Sequence, residues 1–217
     1  RSGTSWASYG SRYGTVAEDE VRIGLRSDRQ VIDGEYRPVG GPFDHVSAQW
    51  TRGDYHHTEF EGPEPGTYFK SRGDELRLQA SHRPVGGLRG TVGLQTSRTD
   101  FSAKGEEAFV PPSRTRATAL YADEAVDTAS GRWRLGLRAE SVQVDTQDGS
   151  DPALSRFATG ARRFHPGSAA LSWERALSGS WNLSATLSHA ERAPRDYELF
   201  ANGPHLATGA WVVGDAS

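Results

Sequence analysis

The chain has 217 residues, of which 35% are hydrophobic, with a mean hydropathy of -0.65 and a formal net charge of -3. The lack of Cys excludes a disulfide framework and any thiolate metal centre. The small net charge gives no sign of nucleic acid or acidic lipid as a partner, and six Trp, seven Tyr and eight Phe exclude a disordered chain.

The first strand pattern lies at residues 21–26, where Val21, Ile23 and Leu25 alternate with Arg22 and Arg26. A Gly/Pro turn follows at Val39-Gly40-Gly41-Pro42. From Phe43 to Glu59 only Gly53 interrupts a long extended stretch. Val46, Ala48 and Trp50 give it an apolar face, which continues as Arg52, Asp54 and His56. A membrane strand needs about 9–11 residues, so this one is expected to run past a bilayer into water. Residues 60–68 read as a polar loop. In the next strand Leu76, Leu78 and Ala80 oppose Glu75, Arg77 and Gln79. Beyond the Pro84-Val85-Gly86-Gly87 turn, Leu88, Val92 and Leu94 oppose Arg89, Thr91 and Gln95.

A second polar loop spans residues 101–113. After the Ala129-Ser130-Gly131 turn, Trp133, Leu135, Leu137 and Ala139 alternate with Arg132, Arg134, Gly136 and Arg138. Residues 146–163 read as a loop, and Ser178-Gly179-Ser180 as a turn. Trp181, Leu183, Ala185 and Leu187 then alternate with Asn182, Ser184, Thr186 and Ser188. Residues 194–209 are a further loop, with a short helix expected over Asp196–Ala201, and Trp211 opens another strand. A loop is also expected at residues 10–19.

Tight turns therefore recur about every 45 residues, and longer loops lie between them. Sustained period-two patterning with short connections on one side and long ones on the other is the layout of an antiparallel transmembrane β-barrel. Such a wall needs apolar residues only at alternate positions, which explains the low hydropathy. No stretch approaches the roughly 18 consecutive apolar residues of a membrane helix. Trp133, Trp173 and Trp181 sit near the short turns, as an aromatic girdle at a lipid–water boundary does.

Two stretches carry a resemblance. Glu191, Arg192, Ala193 and Pro194, followed by Glu198, Leu199, Phe200, Asn202, Gly203, Pro204 and His205, resemble the ERAP…ELFANGPH signature of TonB-dependent outer-membrane receptors. His57-Thr-Glu-Phe-Glu-Gly62 and Gly105-Glu-Glu-Ala-Phe-Val-Pro-Pro112 resemble the branch associated with zinc import. The resemblance implies a barrel of about 22 strands closed by a plug. About ten strands and no plug are expected in this chain, which reads as a fragment of one barrel domain spanning residues 1–217. It implies residence in the outer membrane of a Gram-negative bacterium. The implied partners are the bilayer, the receptor's own plug and, through that plug, the TonB complex.

No GxSxG or HExxH motif is present, and no enzyme is expected. The candidates for substrate-metal contact fall in two groups. By alternation Tyr55, His57 and Glu59 face the lumen, and side chains two apart on a strand stand about 7 Å from one another. Imidazole and carboxylate suit zinc. His56, Glu61 and Glu64 lie nearby. The second group is His189, Glu191, Asp196, Glu198 and His205. The plain alternative for each is a solvated polar strand end. Arg77, Arg134 and Arg138 are expected to pair with acids such as Glu75 and Glu140 on the wet wall. No cofactor is expected, and the cargo is zinc or, alternatively, an iron–siderophore complex. Two other readings are a small non-transporting barrel (a pore or adhesin) and a secreted carbohydrate-binding β-sandwich.

Overall fold

The computed structural model describes residues 2–9, 21–61, 63–105, 108–146, 154–205 and 210–216. The expected loop at 10–19 lies outside them. Its strands are β1 (Ser2–Tyr9), β2 (Val21–Tyr36), β3 (Phe43–Glu61), β4 (Glu64–His82), β5 (Leu88–Lys104), β6 (Ser113–Thr128), β7 (Gly131–Thr146), β8 (Ala161–Phe164), β9 (Gly167–Ala176) and β10 (Asn182–Ala190). A short helix α1 (Asp196–Phe200) and two short strands, β11 (Asn202–His205) and β12 (Ala210–Val213), follow. The main sheet is antiparallel and runs β1-β2-β3-β4-β5-β6-β7-β9-β10, with β8 beside β7. Each neighbour in the path is its neighbour in sequence apart from β8, the up-and-down order of a barrel wall. The sheet is open among the described residues, with β1 and β10 at its edges.

The strand register places the apolar residues in one continuous band. Ile32, Trp50, Leu76 and Thr96 are successive cross-strand partners, and so are Val46, Ala80, Val92, Ala122, Leu137 and Ala169. On this face Leu120, Leu137, Leu183 and Leu187 are 64, 47, 49 and 78% exposed. The opposite face is the covered one. There Ala119, Val142 and Val144 are buried, and α1 packs Leu199 and Phe200 against Val142 and Val144. A compact globule would bury the leucines; this sheet turns them outward, as a wall meeting hydrocarbon does. A trough of about 950 Å³ along the apolar band is broad and open; it lies among Leu78, Leu94, Leu120 and Leu137 and reaches His189 and Glu191 at one end, away from His57 and Glu59.

Local chemistry explains the turns. Gly86 and Gly87 both have positive φ (58° and 85°), and Val85 and Leu88 exchange backbone hydrogen bonds across them. That is a two-residue hairpin whose mirror-image turn matches strand twist and requires residues without a Cβ penalty. At the next turn the Trp133 and Trp173 rings lie 6.3 Å apart, and Trp173 Nε1 donates to the Ser130 carbonyl at 3.0 Å. The indoles are thus anchored by their polar handles at the end of the apolar band, where an aromatic girdle belongs. Between β8 and β9 the strand line along β7 breaks at His165-Pro166, because proline has no N–H to give the ladder.

The structure corrects three expectations. Residues 60–61 and 64–68 are strand, not loop: β3 and β4 pair until Glu61 meets Glu64. Polar residues on both faces mimic a loop in sequence, but two strands standing above a bilayer need only pair their backbones. A register shift between Thr58 and Phe60 absorbs the irregularity. At the start of β2, Ile23 and Leu25 do not join the lipid band. They pair with Glu59 and His57, and the band on β2 is carried by Ile32 and Tyr36. Two of the expected lumenal pairs are present, each within its own strand, Arg77 with Glu75 at 3.7 Å and Arg138 with Glu140, and only the third arginine departs. Arg134 bonds Asp123 at 2.8 Å across the strand, not Glu75 or Glu140.

Candidate functional site

Alternation on β3 turns His57 and Glu59 to the covered, lumenal face, above the level of the apolar band. Their side chains meet, with Nε2 of His57 3.4 Å from Oε1 of Glu59. His57 stacks on Phe69 of β4 at 4.5 Å between ring centroids, and Tyr55 meets it edge-on at 5.6 Å. This aromatic wall half-buries the imidazole. Burial lowers the His57 pKa, since a cation loses solvation there. The ring is held neutral, the form that binds metal. Its Nδ1 is buried and has no hydrogen-bond partner among the described residues. One nitrogen faces a carboxylate and the other is unspent, an arrangement suited to a loosely held cation.

The other candidates are placed differently. His56 points to the opposite face, 5.9 Å from Tyr68 ring to ring, and so does not join His57. Glu64 pairs with Glu61 at the β3–β4 turn and is exposed. The Glu61 side chain lies outside the described residues, as does that of His205, whose backbone pairs with Ala210 in β11–β12. His189 Nε2 lies 3.3 Å from Glu191 Oε1, but both are exposed on the face of Ala169 and Leu187, not in the lumen. Glu191 also accepts from the Gly167 amide at 2.9 Å. Asp196 accepts from the Ser113 hydroxyl at 2.6 Å. Among the described residues no three His, Asp or Glu side chains gather as a metal-binding group.

Glu198 has a structural task. Both its oxygens take hydrogen bonds from Arg192 at 2.6 Å, and Oε2 also accepts the Arg195 amide at 2.7 Å, capping α1. The Arg192 guanidinium, and then that amide, hold the Glu198 carboxyl down at about 2. A carboxyl with a depressed folded pKa stabilises the fold above its unfolded value near 4.5 and loses that contribution as pH falls toward 2. Carboxyl titration by NMR in micelles is expected to show Glu198 still ionised at about pH 3; a midpoint near 4.5 would mean the clamp is absent in solution.

Around this corner three loops are knitted together. Asn202 donates its amide to the Phe109 carbonyl at 2.8 Å, and its Nδ2 to the Arg156 carbonyl at 2.7 Å. Trp211 Nε1 donates to Asn202 Oδ1 at 2.9 Å, and Arg156 bonds the Ala108 carbonyl. The β11–β12 pairing was not foreseen, because Asn-Gly-Pro reads as turn chemistry.

The chain matches the family model "TonB dependent receptor-like, beta-barrel" over residues 1–216. It belongs to that family. Among solved structures it is similar to the "Copper transporter OprC", with a TM-score of 0.63 and 19% identity over 84% of this chain. The chain spans 31% of that transporter's length. At this identity the likeness concerns the fold: this TonB-dependent receptor barrel segment has the wall architecture of a larger one.

Proposed function

We propose that the chain is a wall segment of an outer-membrane importer. TonB-linked energy would reach it through a plug, and the cargo is a scarce metal ion, with zinc the first choice. It is a transporter wall and not an enzyme. The observation that carries the cargo assignment is the neutral, half-buried His57 beside Glu59 on the lumenal face, in the part of β3 that rises above the apolar band. Two ligands of this type with one nitrogen unspent fit a cation that must be captured and released. Membership of the receptor family and the structural likeness to a copper transporter support the same reading. On β10 the His189–Glu191 pair lies toward the lipid side and is a weaker candidate.

Uptake of zinc, copper and a ferric chelate is compared in cells carrying the intact receptor with His57→Ala or Glu59→Ala. Zinc uptake is expected to fall by about tenfold or more in both, the scale of losing a metal-organising group. His56→Ala, on the other face, is expected to change little. A selective fall in ferric-chelate uptake would turn the assignment to an iron–siderophore cargo. Normal uptake of all three would remove the site.

A further inference from the structure

Among the described residues four histidines stand beside a glutamate. His82 meets Glu124 at 2.8 Å, a direct hydrogen bond on the outward face, and His189 meets Glu191 toward the lipid side. The other two pairs lie on the lumenal face and share strand β3: His57 with Glu59, and His45 with Glu35 of β2. His45 belongs to that face because it pairs with Ser81, whereas the next residue, Val46, pairs with Ala80 in the apolar band. A register shift between Phe43 and His45 marks the start of the strand, and irregularities of this kind re-aim a side chain. The pair flanks the short turn between β2 and β3, at the opposite end of β3 from His57.

The neighbours of this lower pair are committed elsewhere. The Ser81 hydroxyl bonds Thr91 at 2.8 Å, and Asp33 accepts from Gln49 at 2.6 Å. Arg83 donates to the Gly41 and Pro38 carbonyls, each at 3.0 Å. His45 Nε2 is shielded from water, yet has no hydrogen-bond partner among the described residues. Glu35 Oε2 stands 3.5 Å from it, too far for a good hydrogen bond. A tetrahedral zinc ion holds neighbouring nitrogen and oxygen ligands about 3.3 Å apart. The gap is close to that spacing, and His57 and Glu59 leave nearly the same one at 3.4 Å. Glu35 is 65% exposed and forms the open side of the pair, so an ion can reach it from the lumen.

We propose that His45 and Glu35 form a second station for the transported cation, at the short-turn end of the lumen, from which the ion leaves the wall. Twelve residues separate His45 from His57, about 40 Å along a strand that rises about 3.4 Å per residue. No single ion touches both pairs. The lower station is the weaker, because water competes for a carboxylate that is 65% exposed more easily than for Glu59 at 24%. Among the described residues no third His, Asp or Glu gathers there, so water completes the shell and release is easy. The inference deepens the reading of the cargo as a bare metal ion and rests on it.

The test soaks crystals of the intact receptor in zinc and locates the ion by anomalous scattering, with zinc uptake measured in cells. Zinc is expected within about 2.3 Å of both His45 Nε2 and Glu35 Oε2, and again beside His57. His45→Ala is expected to empty the lower position, leave the upper one filled and lower uptake by about tenfold. Glu35→Gln keeps the side-chain shape and reads the same site if His45→Ala does not fold. Zinc beside His57 but not beside His45 overturns the lower station and leaves the cargo reading standing. Zinc beside His45 alone keeps the lower station and removes the upper one, and zinc at neither removes both. A lower position that magnesium fills as well as zinc is a plain carboxylate patch and overturns the proposal. So does unchanged uptake in folded His45→Ala and Glu35→Gln variants, which leaves the ion no exit through this pair.

Discussion

Leu137→Arg is expected to cost about 2–4 kcal/mol of stability in a bilayer, enough to abolish folding of a marginal barrel. Leu137 stands in the middle of the outward band, between Ala122 on β6 and Ala169 on β9, and is 47% exposed without its lipid. A guanidinium there must enter hydrocarbon or drag water to it. The comparison is Gln79→Arg, on the other face of the wall, where water and polar side chains receive the charge; its effect is expected within about 0.5 kcal/mol. Denaturant titration of the intact receptor in lipid vesicles measures both. Equal costs at the two positions would mean that both faces meet the same medium, and the membrane reading would then fail.

The second large effect is expected at Gly203. A Cβ built there would lie 2.8 Å from the Phe109 Cα, and backbone cannot move aside as a flexible side chain does. Gly203→Val therefore forces β11 away from the 108–112 segment and breaks the adjacent Asn202–Phe109 bond. Overpacking of this kind costs about 1–3 kcal/mol. The loss is local, because the loops sit on the wall instead of forming its ladder. Limited proteolysis is expected to cut near residues 105–112 and 154–160 in the variant while the strands survive. Cleavage unchanged from the parent would show that this packing does not hold the loops down.

The family signature takes on a physical meaning from these contacts. Its Arg192 and Glu198 form the clamp at the start of α1, its Leu199 and Phe200 are buried against Val142 and Val144, and its Asn202 and Gly203 seat a loop on Phe109. Each of these positions is explained by loop packing without a ligand. His57 and Glu59 differ, since their meeting leaves a nitrogen unsatisfied. The sequence could place His57 and Glu59 on one face, because alternation is strictly local. It could not place Phe69 over the imidazole, because that depends on the β3–β4 register. Nor could it separate His189 and Glu191 from the lumen: their alternation is visible, but the side of the wall to which it points is set by neighbouring strands.

The sequence alone determined the strands, the apolar band and the tight turns, because a period-two pattern and glycine backbone freedom act within a few residues of each other. Only the tertiary structure decided that residues 60–61 and 64–68 are paired strand, that 202–205 pair with 210–213, and that arginines on four strands stand in rows. These depend on backbone pairing between segments, which strands of many different compositions can make. Composition is therefore a poor guide to it, and register is the quantity that has to be known.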